Sequence, residues 1–83
     1  MEYLIVRFPE TRNVWVDDVP QGTTDALLEL EAGVHKITLA PPHDFSPPAL
    51  EVLLQNTAVL DPCRVEFHRL PPAAVPPTPG RRA

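Results

Sequence analysis

Apolar and polar residues alternate along residues 14–39, on both sides of turns that contain glycine. The clearest runs are residues 28–31 (Leu-Glu-Leu-Glu) and 35–39 (His-Lys-Ile-Thr-Leu). A period of two is typical of strands that bury one face, because successive side chains of a strand point to opposite sides of the sheet. The pattern predicts an all-β fold, and we expect a small antiparallel β-sandwich.

About seven short strands are predicted before residue 70. They cover residues 2–8, 13–17, 26–31, 34–40, 50–55, 57–60 and 63–69. A short helix over residues 49–55 is the alternative to the fifth strand, because Leu53 interrupts the alternation. The residues expected to face inward are Leu4, Val6, Phe8, Val14, Val16, Leu28, Leu30, His35, Ile37, Leu39, Leu50, Val52, Leu54, Val65 and Phe67.

Proline and glycine mark the predicted connections. Residues 18–22, which include Pro20 and Gly22, are predicted to form a turn, because proline presets φ and glycine allows a positive φ. Residues 41–48 contain four prolines and are predicted to be an irregular connection without regular strand pairing.

The composition changes after residue 70, which predicts one domain over residues 1–70 and a proline-rich tail over residues 71–83. The tail holds five of the 12 prolines and is expected to be extended and disordered. It is interpreted as a spacer or, alternatively, as a docking peptide for a proline-recognising groove, because Arg81 and Arg82 follow the prolines.

Charge and hydropathy limit the partners and the compartment. The net charge is −4, and two of the basic residues, Arg81 and Arg82, lie at the C-terminal end, so the predicted domain is more acidic than the chain as a whole. An acidic surface repels the phosphate backbone of nucleic acids, and we therefore expect no nucleic-acid partner. No run approaches the ~20 apolar residues that span a bilayer, and no membrane insertion is predicted. The N-terminus lacks the features of a signal peptide. We therefore expect a cytoplasmic location for the chain as it stands, and an extracytoplasmic one if it belongs to a larger exported protein.

Several segments together resemble the PEGA domain, a small β-sandwich module of bacterial and archaeal proteins. The opening strand ends in Pro9, and His43-Asp44-Phe45 stands where the family often has Gly-Tyr. Residues 14–17 resemble the family's V-x-V-D-G, residues 22–24 resemble G-x-T-P, and residues 30–37 resemble L-x-x-G-x-H-x-V. The resemblance covers roughly residues 2–70.

The chain departs from the PEGA pattern at turn and packing positions. Asp18 replaces the turn glycine, Asp25 replaces the proline after Thr24, and Phe45 replaces the tyrosine, while the Pro-Glu-Gly-Ala motif reduces to Gly33. The resemblance implies a non-catalytic module that is often extracytoplasmic and is repeated or appended to other domains. It implies no shared ligand and no site residues.

The polar residues predict neither a catalytic site nor a bound metal or cofactor. The histidines and Cys63 lack the close ligand spacing of zinc sites, and Cys63 is expected to be a small buried hydrophobe. His35 is expected to bond a backbone carbonyl near the adjacent turn. The aspartates near the turns lack the spacing of a calcium loop, and the strand glutamates fall on the solvated face. The histidines are His35, His43 and His68, the aspartates are Asp17, Asp18 and Asp25, and the glutamates are Glu29, Glu31, Glu51 and Glu66.

Trp15 is the main candidate for binding, with Tyr3 as a second one. Trp15 lies between two inward-facing valines, so its ring is expected on the outer face, either covered by residues 41–48 or the tail, or stacked on a partner. We expect a non-catalytic protein-interaction or structural spacer module that acts through a strand edge or the Trp15 face. The alternative is a module that binds carbohydrate or a cell surface through exposed Trp15.

Overall fold

The computed structural model describes residues 1–71, and these form nine strands and no helix. The all-β prediction is confirmed, and residues 49–55 contain a strand rather than a helix. No helix long and apolar enough to cross a membrane occurs within residues 1–71. The strands are β1 Glu2–Arg7, β2 Asn13–Val16, β3 Val19–Thr23, β4 Leu27–Leu30, β5 Gly33–Leu39, β6 Phe45–Ser46, β7 Leu50–Leu54, β8 Cys63–Glu66 and β9 His68–Arg69.

The strands form two main sheets that pack face to face. One sheet has the order β4-β1-β8, the other has the order β3-β2-β5-β7, and β6 pairs with β9 in a small third sheet. Every pair is antiparallel except β1 with β8, which run parallel. The parallel pair was not expected from the sequence. A parallel neighbour requires a long crossover rather than a tight hairpin, and the chain between β1 and β8 provides one.

The core lies between the two main sheets and contains most of the residues predicted to face inward. Leu50, Val52, Cys63 and Val65 are partly buried and pack against it. The buried hydrophobic residues are Leu4, Val6, Phe8, Val14, Val16, Leu28, Leu30, Ile37, Leu39, Phe45, Leu54 and Phe67. Of these, only Phe45 was not predicted to face inward, and its ring meets Phe8 and Phe67 in edge-to-face contacts, with centroids 6.4 and 5.7 Å away.

The turn predicted at residues 18–22 is wrong, because Val19–Thr23 forms strand β3. The hairpin turns instead at Asp17 and Asp18, which have positive φ angles of 52° and 69°. Two such residues match the right-handed twist of the flanking strands, and aspartate tolerates this conformation. Pro20 fits in β3 because β3 is an edge strand, where a missing amide leaves no gap in the ladder.

Three other predicted boundaries also need correction. Residues 41–48 are not wholly irregular, because they contain β6, which pairs with β9. Residues 57–60 form no strand, and only an isolated bridge joins Ala58 to Asp61. The run 63–69 is divided into β8 and β9 at Phe67, whose N–H donates to the carbonyl of Arg7 at 2.9 Å. The predicted tail lies outside the described residues apart from Pro71.

Candidate functional site

The two aromatic residues predicted to bind a ligand lie on opposite faces of the sandwich. Trp15 projects from the outer face of the four-stranded sheet, because Val14 and Val16 beside it are buried in the core. Tyr3 projects from the outer face of the three-stranded sheet, because its neighbour Leu4 is fully buried. The structure therefore does not bring Trp15 and Tyr3 into one site.

Trp15 is partly buried on its outer face. It lies opposite Pro20 of β3 and opposite Thr38 of β5. The Thr38 hydroxyl donates to the carbonyl of Pro48 at 2.7 Å, on the β7 side of β5. Trp15 pairs with Thr38 from the β2 side, so this bond does not place residues 41–48 over the indole, and a cover from these residues stays a prediction. The other predicted cover, the tail, lies outside residues 1–71 apart from its first residue.

Tyr3 is held by contacts that tie β1 to the chain between β7 and β8. Its hydroxyl donates to Oε2 of Glu29 at 3.2 Å, and the hydrogen bond to this carboxylate raises the pKa of Tyr3. Its backbone N–H donates to Oγ1 of Thr57 at 2.7 Å. The Thr57 hydroxyl and amide both donate to Oε1 of Glu2, which lowers the pKa of Glu2. These contacts give Tyr3 a structural role.

His35 joins the β2–β3 turn to the start of β5. Its Nε2 lies 2.7 Å from the backbone carbonyl of Glu31, which confirms the predicted bond to a carbonyl near the turn. Its Nδ1 lies 2.8 Å from Oδ2 of Asp17. Both ring nitrogens therefore face acceptors, and the doubly protonated imidazolium satisfies both. The Asp17 hydrogen bond accordingly raises the pKa of His35.

Asp17 completes this connection with its second carboxylate oxygen. Oδ1 accepts the backbone N–H of Lys36 at 2.9 Å. This bond, followed by the bond from His35, lowers the pKa of Asp17. A cavity of about 370 Å³ opens beside the pair, with Glu29 and Glu31 in its wall. Within residues 1–71, no three side chains of His, Cys, Asp or Glu are placed together to hold a metal ion.

The sequence analysis missed a buried arginine, Arg12, which lies at the other end of the β2–β5 pair from Asp17 and His35. Arg12 is 8% exposed, and its guanidinium donates to the carbonyls of Ala40 and Pro42 at 3.2 and 3.0 Å. It also donates to both carboxylate oxygens of Asp44, at 3.0 and 3.2 Å, and to Glu10. The hydrogen bonds to Asp44 and Glu10 raise the pKa of Arg12, and the same hydrogen bonds from Arg12 lower the pKa of the two carboxyl groups.

Arg69 completes the cluster from β9. It donates to Glu10 and, at 3.1 Å, to Asp44, so the same two carboxylates bridge both arginines. Both guanidinium groups lie over the ring of Phe8, at 5.2 and 5.5 Å from its centroid. The cluster fixes residues 40–44 and β9 onto the core. One sequence signal indicates that Arg12 is buried: it lies two residues before Val14, on the inward-facing side of the β2 alternation.

The strand edges are the surfaces at which a partner could extend a sheet. Among residues 1–71, the strands that pair on one side only in the two main sheets, and so leave open edges, are β3, β4, β7 and β8. Edge strands present unpaired amides and carbonyls, and proteins protect them with proline, charge or short length. Pro20 interrupts β3, and the outward side chains of β8 are Arg64 and Glu66. Both edges are therefore protected.

The β7 edge differs from the others in its apolar surface. Leu53 of β7 is 56% exposed, and it lies directly opposite Val34 of β5, which is 60% exposed. β4 offers Leu27, but its cross-strand neighbour Ile5 is partly buried, and β4 has one residue fewer than β7. Two adjacent exposed apolar side chains therefore border the β7 edge. We call Leu53, Val34 and the open edge of β7 the β7 surface.

Comparison of the chain with protein-family models, curated proteins and solved structures gives no match. The PEGA resemblance consequently stays a prediction from the sequence. The candidate site depends on the geometry of the described residues alone.

Proposed function

We propose that this chain is a non-catalytic protein-interaction module that accepts a strand of a partner protein along the β7 surface. The observation that carries this proposal is the open edge of β7 beside two exposed apolar side chains, Val34 and Leu53. A strand added to such an edge gains main-chain hydrogen bonds, and alternate side chains of that strand reach the apolar pair.

Two features of the structure support this proposal: the unpaired side of β7, which offers main-chain hydrogen bonds, and the exposed apolar pair beside it. The added strand continues the sheet beyond β7, whose other side is already paired with β5 from Leu50 to Leu54. Covering the exposed parts of Leu53 and Val34 contributes about 1 kcal/mol each, by the usual value for apolar burial. Register is set by the same pair, because a slip of one residue turns the partner's apolar side chains to the other face.

The roles of the polar clusters support a non-catalytic function. Arg12 and His35 are each hydrogen-bonded to groups of the protein itself, and both connect separate strands. Tyr3 ties β1 to Thr57 in the same way. Such contacts give a rigid module, which also suits the role of a spacer between other domains.

Binding of carbohydrate through Trp15 is the second candidate function. The partly exposed indole on the outer face of a sheet favours it, since an aromatic ring on a flat surface stacks on sugars. Tyr3 cannot contribute, because it lies on the opposite face. A glycan array probed with the wild type and with Trp15→Ala tests this candidate, and iodide quenching measures how far the indole is accessible. Retention on polysaccharide that Trp15→Ala abolishes would favour carbohydrate over protein.

A peptide selection tests the β7 surface directly. A displayed library of random peptides is panned on the immobilised domain, and the selected peptides are measured against three proteins: the wild type, Leu53→Lys and Val19→Lys. Val19 is 52% exposed and lies on β3, at the opposite edge of the same sheet, so it is the matched control. We expect peptides with alternating apolar residues that lose affinity at least about tenfold for Leu53→Lys and keep it for Val19→Lys. Equal binding to all three proteins would contradict the proposed function.

A further inference from the structure

We propose that the strand accepted by β7 is β7 of a second copy of this chain, paired antiparallel about a two-fold axis at Leu53. This inference rests on the β7 surface of the proposed function and names its partner. A two-fold axis brings the β7 edge of one copy against the β7 edge of the other, so the edge must be complementary to itself. The sequence Leu50-Glu51-Val52-Leu53-Leu54-Gln55 has this property in one register.

In that register, Leu53 lies opposite its own copy and Val52 lies opposite Leu54 of the other copy. On the outer face, each Leu53 already adjoins Val34 of its own β5. The pairing therefore builds a continuous apolar row of Val34, Leu53 and their two copies across the new junction. On the inner face, Val52 and Leu54 continue the core side of one sheet into the core side of the other.

Charge selects this register over its neighbours. Pairing about Leu53 puts Glu51 opposite the amide side chain of Gln55 from the other copy, and Lys36 lies on its other side in β5. Pairing about Val52 puts the Glu51 carboxylate opposite Leu53. Pairing about Glu51 puts two carboxylates opposite each other, which is destabilising in a sheet. The register about Leu53 is the one that joins apolar to apolar and acid to amide.

The length of the edge limits the affinity. β7 has five residues, and an edge of that length buries well under the ~800 Å² per partner of a standard stable interface. We therefore expect a reversible dimer with a dissociation constant between about 1 μM and about 1 mM, which forms an extended eight-stranded sheet from two four-stranded ones.

Sedimentation equilibrium of the full chain tests the dimer. The wild type is expected to shift from monomer to dimer as its concentration rises to about 1 mM, and Val19→Lys is expected to follow it. Leu53→Lys and Val34→Lys are expected to weaken dimerisation at least tenfold. Both substituted side chains are more than half exposed, and circular dichroism and thermal melting verify that the variants keep their fold.

Cysteine cross-linking tests the register. In a Cys63→Ser background, Leu53→Cys is expected to form an intermolecular disulfide under mild oxidation, at least tenfold faster than Glu51→Cys, because only position 53 faces its own copy. A wild type that stays monomeric, a dimer that Leu53→Lys does not weaken, or equal cross-linking at both positions would overturn the second-copy proposal. A monomer that still selects peptides sensitive to Leu53→Lys would leave the proposed function intact, so the two failures are distinguishable.

Discussion

Replacement of Arg12 by alanine is expected to destabilise the domain strongly. The side chain is 8% exposed and donates to two backbone carbonyls, of Ala40 and Pro42, as well as to Glu10 and Asp44. Loss of one partner from a buried charge cluster typically costs 3–5 kcal/mol. The two carboxylates are partly exposed to solvent and keep Arg69 as a partner. We therefore expect a loss at the low end, about 3 kcal/mol in the free energy of unfolding.

Arg69→Ala is the matched control, because Arg69 bonds the same two carboxylates and lies over the same Phe8 ring. Its side chain is 41% exposed, so we expect a loss of at most about 1 kcal/mol. For a domain of this size, 1 kcal/mol corresponds to roughly 4–8 °C in Tm, which predicts falls of about 12–24 °C for Arg12→Ala and at most about 4–8 °C for Arg69→Ala. Urea unfolding and thermal melts measure both. Equal losses for the two variants would refute the argument from burial.

Three further substitutions test other parts of the structure. Because the pKa of His35 is raised in the folded state, its stabilising effect is complete below the unfolded value of about 6.5 and is lost as pH rises through the folded value. Urea unfolding across pH should show this decline in the wild type and not in His35→Gln, and persistence of the decline in the variant would assign it to another group. Ile37→Asp places an unpaired charge at a fully buried position and is expected to unfold the domain, with loss of the β signal in circular dichroism; an unchanged melting temperature would mean that the core is misassigned. Gly22→Ala introduces a Cβ that overlaps Cδ2 of Leu28, so we expect a loss of about 1–3 kcal/mol in thermal unfolding, and a neutral effect would show that Leu28 moves aside freely.

The sequence predicts the core well because strand burial leaves a period of two. Ile37 and Leu39 on β5 and Leu4 and Val6 on β1 are buried as the alternation requires. The β3 strand was missed for a physical reason: Pro20 and Gly22 are turn formers by themselves, and only the pairing of β3 at a sheet edge makes them acceptable in a strand.

The candidate site could be predicted only in part. The sequence indicated a strand edge as an interaction surface, but sheet order depends on contacts between distant segments and identifies β7 as an edge only in the folded structure. The exposure of Val34 beside Leu53 has the same origin, because their pairing joins two strands separated along the chain. The Arg12 cluster also depends on residues that are remote in sequence, Asp44 and Arg69.

Amide hydrogen exchange of β7 tests most directly whether this edge accepts a strand. The amides of an edge strand point alternately towards its neighbour and away from it, and the ones that point away are free to exchange. When a selected peptide is added, or when the chain is concentrated, we predict slower exchange at alternate amides of Leu50–Leu54, with little change around Trp15. Protection centred on Trp15, with the exchange of β7 unchanged, would contradict strand addition at β7.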